Sequence, residues 1–333
     1  MPKLRRMQYR VLGKSGLEIS RVGFGAWALG GDWGSVDDTE SLGALERAVE
    51  LGVNFFDTAD VYGDGKSERL LGEFRRRSGA DIVIATKAGR RLTPHDRNGY
   101  TLANLTAFVE RSLKNLQADA LDLLQLHCPP TDVYYMPEVF DALDELKERG
   151  KLRHYGVSVE RVEEALKAIE YPGVTSVQII YNLFRQRPAE LFFQQARAKQ
   201  VGVLARLPLS SGLLAGKLNR STQFEPSDHR SYNRHGEAFD QGETFSGIPF
   251  EVGLELVEQI RPLVPAHTSM AAFALRFILM QDAVTAVIPG AKRAAQVEAN
   301  VEADELDALP PHTMQELEAI YRERIRPLVH HKW

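Results

Sequence analysis

The 333-residue sequence predicts an α/β fold: a (β/α)8 TIM barrel with an N-terminal β-hairpin, a long loop after strand seven and a C-terminal helical extension. Three observations carry this. Short β-rich runs alternate with longer stretches of helical periodicity almost from end to end, which is the signature of βα units. About eight such units follow one another, the number at which a parallel sheet closes on itself. The strand runs end repeatedly in polar residues, where a barrel of this kind carries its chemistry.

Taken in order, residues 8–12 and 17–20 flank Gly13-Lys14-Ser15-Gly16 and read as a hairpin outside the alternation, placed to plug the amino-terminal end of the barrel. Strands are expected at 22–25, 54–58, 81–87, 121–127, 155–158, 176–181, 202–206 and 284–288. Helices are expected at 38–51, 67–77, 102–116, 136–149, 162–169, 189–200 and 270–280, with another after Arg293. Asp38 and Ser67 suit N-caps, Pro137 suits a first helical turn, and Gly52 and Gly150 suit helix ends that need positive φ. From 217 to 249 the pattern fails, with Pro226, Gly236, Gly242 and Gly247 among many polar residues; a loop this long reads as a lid over the site. A helical extension is expected around 313–326.

Composition agrees with one barrel spanning 1–333. The chain is 44% hydrophobic and 26% charged, which excludes a disordered or fibrous protein. A formal charge of -4, evenly spread, argues against nucleic acid or an anionic membrane as the main partner. Cys128 is the single cysteine, so no intrachain disulfide and no cysteine-based zinc cluster can form, as suits a reducing compartment. The amino end, with Lys3, Arg5 and Arg6, lacks the apolar stretch of a signal peptide, and no run approaches the ~18 apolar residues of a membrane span. A cytoplasmic protein is expected.

Reading the carboxyl ends of the strands gives Asp57, Lys87, His127, Ser158, Gln178 and Arg206. Tyr62 follows Asp57 in the next loop and can swing back over the mouth. A phenol with pKa ~10 is a weak acid at neutral pH, but a neighbouring ammonium stabilises the phenolate and lowers that value. Lys87 suits this role, Asp57 would hold Lys87 charged, and His127 would donate a hydrogen bond to a substrate oxygen. A proton donor beside a site for developing negative charge is what carbonyl reduction requires.

These residues also carry a resemblance. Gly23-Phe24-Gly25, Phe56-Asp57-Thr58-Ala59 with Tyr62-Gly63, Ala85-Thr86-Lys87, Leu126-His127, Gly156-Val157-Ser158, Val177-Gln178, Pro208-Leu209 with Gly212-Leu213-Leu214, and Ile288-Pro289-Gly290 with Gln296 and Asn300 resemble the aldo-keto reductase superfamily. The long loop after strand seven is more similar to its bacterial oxidoreductase and potassium-channel β-subunit branch than to the short mammalian forms. The resemblance implies a tetrad of Asp57, Tyr62, Lys87 and His127, with Tyr62 as general acid, and a nicotinamide cofactor across the barrel mouth. It places Gly25, Ala26 and Trp27 near the nicotinamide and Ser158 and Gln178 at its carboxamide. Arg206, Pro208, Leu209, Ser211, Gly212, Leu214 and Lys217 would cover the pyrophosphate, and Gly290, Lys292, Arg293, Gln296 and Asn300 would hold the adenosine end. Lys292 and Arg293 precede a helix N-terminus suited to a 2'-phosphate, which favours NADP(H), with NAD(H) the alternative.

Two positions depart from the family pattern. Val159 follows Ser158 where an asparagine is common, and Arg206 stands where many members stack an aromatic ring on the nicotinamide. Trp27, Trp33, Tyr62, Tyr100, Tyr134 and Tyr135 sit on mouth loops and could line a substrate pocket for small carbonyl or alcohol compounds, while His229 and Arg230 in the long loop read first as a solvated lid face, with reach to substrate or cofactor the alternative. Other readings are weaker. Gly23-Phe24-Gly25-Ala26-Trp27-Ala28 is not a dinucleotide fingerprint, because no helix begins until about Asp38 and Trp27 blocks close backbone approach. A metal site of His127, Asp57 and Asp60 is disfavoured by Lys87, and Cys128 before two prolines reads as structural rather than nucleophilic. A cofactor-binding, redox-sensing subunit with little turnover is the non-enzyme alternative.

Overall fold

A computed structural model describes residues 7–31 and 37–333. The chain opens with a hairpin of β1 (Tyr9–Val11) and β2 (Glu18–Ser20), paired antiparallel with Tyr9 opposite Ser20. The barrel strands follow: β3 (Phe24–Gly25), β4 (Phe55–Asp57), β5 (Val83–Ala88), β6 (Leu121–His127), β7 (Leu152–Ser158), β8 (Val174–Ile180), β9 (Gly202–Arg206) and β10 (Val284–Val287). Between β3 and β9 they alternate with α1 (Asp38–Glu50), α2 (Lys66–Ser78), α3 (Leu102–Leu116), α4 (Pro137–Glu148), α5 (Val162–Ala168) and α6 (Phe192–Ala198). The long segment after β9 contains α7 (His229–Tyr232) and leads to α8 (Phe250–Ile260) and α9 (Met270–Leu279). After β10 come α10 (Ala294–Glu305), α11 (Pro311–Ile320) and α12 (Arg326–Val329), the last two joined through a π-helical turn at Tyr321–Ile325.

All eight barrel strands pair parallel in sequence order from β3 to β10. The sheet closes because Gly23 N donates to Val287 O at 2.8 Å and Gly25 N to Pro289 O at 2.9 Å, so the first strand meets the last. Side chains alternate along each strand, and those turned inward fall into two levels. The lower level is apolar: Phe55, Ala85, Leu123, Leu204 and Ala286 pack with Leu12 and Ile19 of the hairpin, which plugs this end of the barrel. Two residues further along the same strands stand Asp57, Lys87, Gln125 and Arg206. The outward faces pack against the helices in the larger hydrophobic cluster.

Local chemistry accounts for the boundaries. Gly52 (φ 89°) and Gly150 (φ 72°) adopt the left-handed backbone expected past α1 and α4, and α4 begins at Pro137. Two cap assignments are corrected. Asp37, not Asp38, caps α1 by accepting from Thr39 N at 2.8 Å. Ser67 lies inside α2, whose N-cap is Gly65; its buried hydroxyl accepts from Thr58 Oγ1 and donates to Ala26 O, tying the helix to the barrel rim. Among the described residues no helix is long and apolar enough to cross a membrane.

Candidate active site

The carboxyl ends of β4, β5 and β6 bring Asp57, Lys87 and, two residues beyond Gln125, His127 to the mouth of the barrel, all buried. Lys87 Nζ donates to Asp57 Oδ1 at 2.5 Å, to Thr58 O at 2.9 Å and to Tyr62 OH at 3.3 Å. The second Asp57 oxygen accepts from Gln178 Nε2 at 2.8 Å and from Gln125 Nε2 at 3.2 Å. An ammonium and a carboxylate taken out of water together are tolerable only with such a full set of partners. The Tyr62 ring stands edge-on to His127 with centroids 5.9 Å apart and stacks on Trp27 at 5.9 Å. Gly63 allows this position: its φ is 57°, and a Cβ there would lie 2.4 Å from Gly30 O.

Burial and charge then set the protonation states. Burial pushes the Tyr62 phenol above its ordinary value, and Lys87 pulls it back only in part. The ammonium thus acts in the expected direction, lowering the Tyr62 pKa, but desolvation of the phenolate outweighs it and the net shift is upward. Burial works to lower the Lys87 ammonium, but Asp57 and Tyr62 hold it above the ordinary lysine value. His127 falls well below the usual histidine range through burial first and then Arg90 and Lys87, so it is neutral.

These groups open into a cavity of about 730 Å³. Of the expected cofactor residues, Gly25, Trp27, Ser158, Gln178, Arg206, Pro208, Leu209, Ser211, Gly212, Lys217, Gly290, Lys292 and Gln296 line it. Four do not. Ala26 and Leu214 are buried beneath it, Asn300 packs under the strand ends with its amide 3.5 Å from Gly290 O, and the exposed Arg293 pairs outward with Glu40 at 2.8 Å. Gln178 lines the wall, yet its nitrogen is committed to Asp57. The backbone at Leu207, Ser210, Ser211 and Gly212 has φ of 49°, 49°, 52° and 96°. A run of this kind turns backbone N–H groups into an anion-binding concavity. With Lys217 and Lys292 in the same wall, the residues present fit a dinucleotide.

The pocket aromatics divide. Trp27 and Tyr62 line the cavity, whereas Tyr100 and Tyr134 are core residues, Tyr135 is 63% exposed outside it, and Trp33 lies outside the described residues. A ring on a mouth loop turns toward whichever apolar surface lies nearest, and for Tyr100 and Tyr134 that is the helix layer. From the long loop, Arg230 reaches the cavity, and His229 is buried behind it against Trp27 with ring centroids 4.6 Å apart.

Sequence reasoning missed a second set of charges in the same wall, two of them buried and two half-buried. Arg90, three residues past Lys87, and Glu160, two past Ser158, meet Arg206 and the loop residue Glu243. Arg206 Nη2 lies 2.9 Å from Glu160 Oε2 and its Nη1 3.6 Å from Glu243 Oε2, while Arg90 Nη2 donates to Glu243 and lies 3.3 Å from Glu160 Oε1. Burial, partly offset by Arg206 and reinforced by Glu243, raises the Glu160 carboxyl to about 8. Burial also disfavours charge on Glu243, but Arg90 and Arg206 hold it well below the ordinary carboxylate range. Cys128 Sγ belongs to the same group, and burial pushes its thiol up to about 12. Two guanidinium groups already occupy these carboxylates, so the cluster repels a metal cation. The signal available in the sequence was the position of Arg90 and Glu160 just past strand ends; Glu243 carries none.

Comparison with known proteins agrees with this arrangement. The Bacillus subtilis oxidoreductase YqkF is 31% identical over 327 residues, covering 95% of this chain and all of that one. A probable voltage-gated potassium channel β-subunit of Arabidopsis thaliana is 28% identical over 330 residues, covering 96% and 98% of the two chains. The structure of the glycerol dehydrogenase of Gluconobacter oxydans superposes with a TM-score of 0.76 at 27% identity, covering 97% of each chain. The profile described as Aldo/keto reductase family matches residues 21–322, and this chain, an oxidoreductase by its homologues, belongs to that family.

Proposed function

We propose that the chain, as one barrel domain, is an NADP(H)-dependent reductase of aldehydes and ketones, sugars among them. The observation that carries this is Lys87 bridging the Asp57 carboxylate and the Tyr62 hydroxyl, with His127 edge-on to the same phenol. When bound, the cofactor supplies hydride to the carbonyl carbon. Tyr62 transfers its proton to the carbonyl oxygen as charge develops there, and Lys87 stabilises the phenolate left behind. Neutral His127 orients the carbonyl by a hydrogen bond, and Asp57 keeps Lys87 charged and in place. Lys217 and Lys292 would meet the cofactor's phosphates, and the consecutive left-handed residues Ser210, Ser211 and Gly212 would turn amides toward the pyrophosphate. The glycerol dehydrogenase likeness supports alcohol and carbonyl chemistry.

The test is NADPH oxidation with a panel of aldehydes and ketones, run in both directions, on wild type and Tyr62→Phe. General acid catalysis is typically worth ~100 to 10,000-fold, and the variant is expected to lose turnover in that range with cofactor affinity unchanged. If both proteins bound NADPH tightly and neither turned over any carbonyl, the chain would be a cofactor-binding sensor instead.

A further inference from the structure

Trp333 is 5% exposed and packs far from the tetrad in sequence, yet it touches the segment of the long loop that supplies Glu243. Its indole Nε1 donates to Asp240 Oδ1 at 2.7 Å, and the same oxygen accepts from Gly242 N at 2.7 Å, closing the turn at Gln241–Glu243. The ring lies so close to the loop that a Cβ at Gly247 would be 2.4 Å from it, and one at Gly242 2.9 Å. The Arg185 guanidinium sits 4.2 Å from the ring centroid, and Arg187 Nη1 holds Trp333 O at 2.6 Å. Arg185 Nη2 in turn lies 3.5 Å from Glu160 O. One side chain is thus wedged between the residues after β8 and the loop turn whose Glu243 closes on Arg90 and Arg206.

We propose that Trp333 is a positioning residue of the cavity: it fixes the turn at residues 240–247 so that Glu243 is held against Arg90 and Arg206. Glu243 then forms a rigid part of the wall rather than a swinging side chain on a loop. A rigid wall lowers the ordering cost of binding, so the effect falls on affinity rather than on the chemical step.

The experiment compares wild type, Trp333→Ala, Trp333→Phe, Glu243→Gln and the Trp333→Ala, Glu243→Gln double variant. It reads NADPH Kd by fluorescence, KM and kcat for an aldehyde, and the rate of limited proteolysis within residues 217–249. Trp333→Ala is expected to raise Kd and KM about tenfold, the equivalent of one lost ordered contact, with kcat changed far less and loop cleavage accelerated. Trp333→Phe keeps the ring against Arg185 but loses the donor to Asp240, and should recover most of the loss. In the double variant, Kd and KM should match Glu243→Gln alone, because the tryptophan acts through that carboxylate. Losses that simply add, or Trp333→Ala values within about twofold of wild type with unchanged cleavage, would overturn the proposal. The Kd and KM arms rest on the reductase reading; if wild type neither bound NADPH nor turned over, that reading would fail while loop cleavage still decided the role of Trp333. Should Trp333→Ala fail to fold, Trp333→Leu, which keeps apolar bulk but loses both the ring and the donor to Asp240, carries the same comparison.

Discussion

The Gln178 amide nitrogen lies 2.8 Å from Asp57 Oδ2, the carboxylate oxygen that does not hold Lys87. Gln125 donates to the same oxygen at 3.2 Å, so two neutral amides and one ammonium share a single buried carboxylate. This makes Gln178 a support for Lys87 as well as a wall of the cavity. Replacing it with methionine, which keeps the volume and removes the donor, should lower kcat about tenfold, as expected for a hydrogen bond to a charged group. NADPH Kd should move less than kcat. A large change in Kd with kcat preserved would instead make the cofactor the main partner of Gln178.

The pH dependence follows from the shifted groups. Tyr62 is raised above its ordinary value, so it is a loaded acid below that point and reduction is retained until strongly alkaline pH. Neutral His127, held well below its usual range, adds no step on the acid side near neutrality. The kcat for reduction, which reads the tetrad rather than the cavity wall, should show no step from Tyr62 or His127 between about pH 6 and 9, while alcohol oxidation, which needs the phenolate, should rise with pH across that window. A break near pH 6.5 in reduction, as an ordinary histidine would give, would show that His127 titrates in the catalytic cycle.

The two adjacent cations of the adenosine segment should behave differently. Lys292 lines the cavity, whereas Arg293 is turned to the surface and paired with Glu40. Lys292→Ala should weaken NADPH about tenfold or more and NADH little, as loss of a charge-assisted phosphate contact does. Arg293→Ala should leave both within about twofold. Equal losses of NADPH and NADH in the lysine variant would remove the 2'-phosphate assignment.

Asp60, two residues before Tyr62, is fully buried and neither carboxylate oxygen has a side-chain hydrogen-bond partner. Burial first, and Glu68 second, raise its pKa to about 7 against the pull of Arg91 and Arg111. The folded value lies above the unfolded one, so the native state binds the extra proton and stability declines as pH rises from about 4 to about 7. Asp60→Asn should therefore leave stability and Tm unchanged near pH 4 and raise both above pH 7, the gain in stability being on the order of several kcal/mol at most. Thermal melts of both proteins at several pH values check this; a difference independent of pH would contradict it.

The legible parts of the fold were those with local signals. β6 was read to the residue because an apolar run ends in a histidine, and α3 because its periodicity begins after Thr101, which accepts from Asn104 N as an N-cap. The tetrad was legible for the same reason, since each member stands at or just past a strand end. Gln125 was hidden as one amide inside an apolar strand, although a buried polar residue two positions before His127 was a signal of support for the site. Glu243 and Trp333 were beyond reach, because their contacts with Arg206, Arg90 and Asp240 join residues distant in sequence through a loop with no period. Tyr100 and Tyr134 show the converse, in that position on a mouth loop does not reveal which way a ring turns.

The central claim is that this barrel mouth passes hydride to a carbonyl carbon while Tyr62 protonates the oxygen. The direct measurement is reduction of an aldehyde with NADPH deuterated at C4 on each face in turn, with mass analysis of the alcohol. One deuterium on the carbinol carbon from one face only, with the label lost along with turnover in Tyr62→Phe, is the predicted result. Alcohol formed without label from either face, or full turnover retained by Tyr62→Phe, would contradict the account.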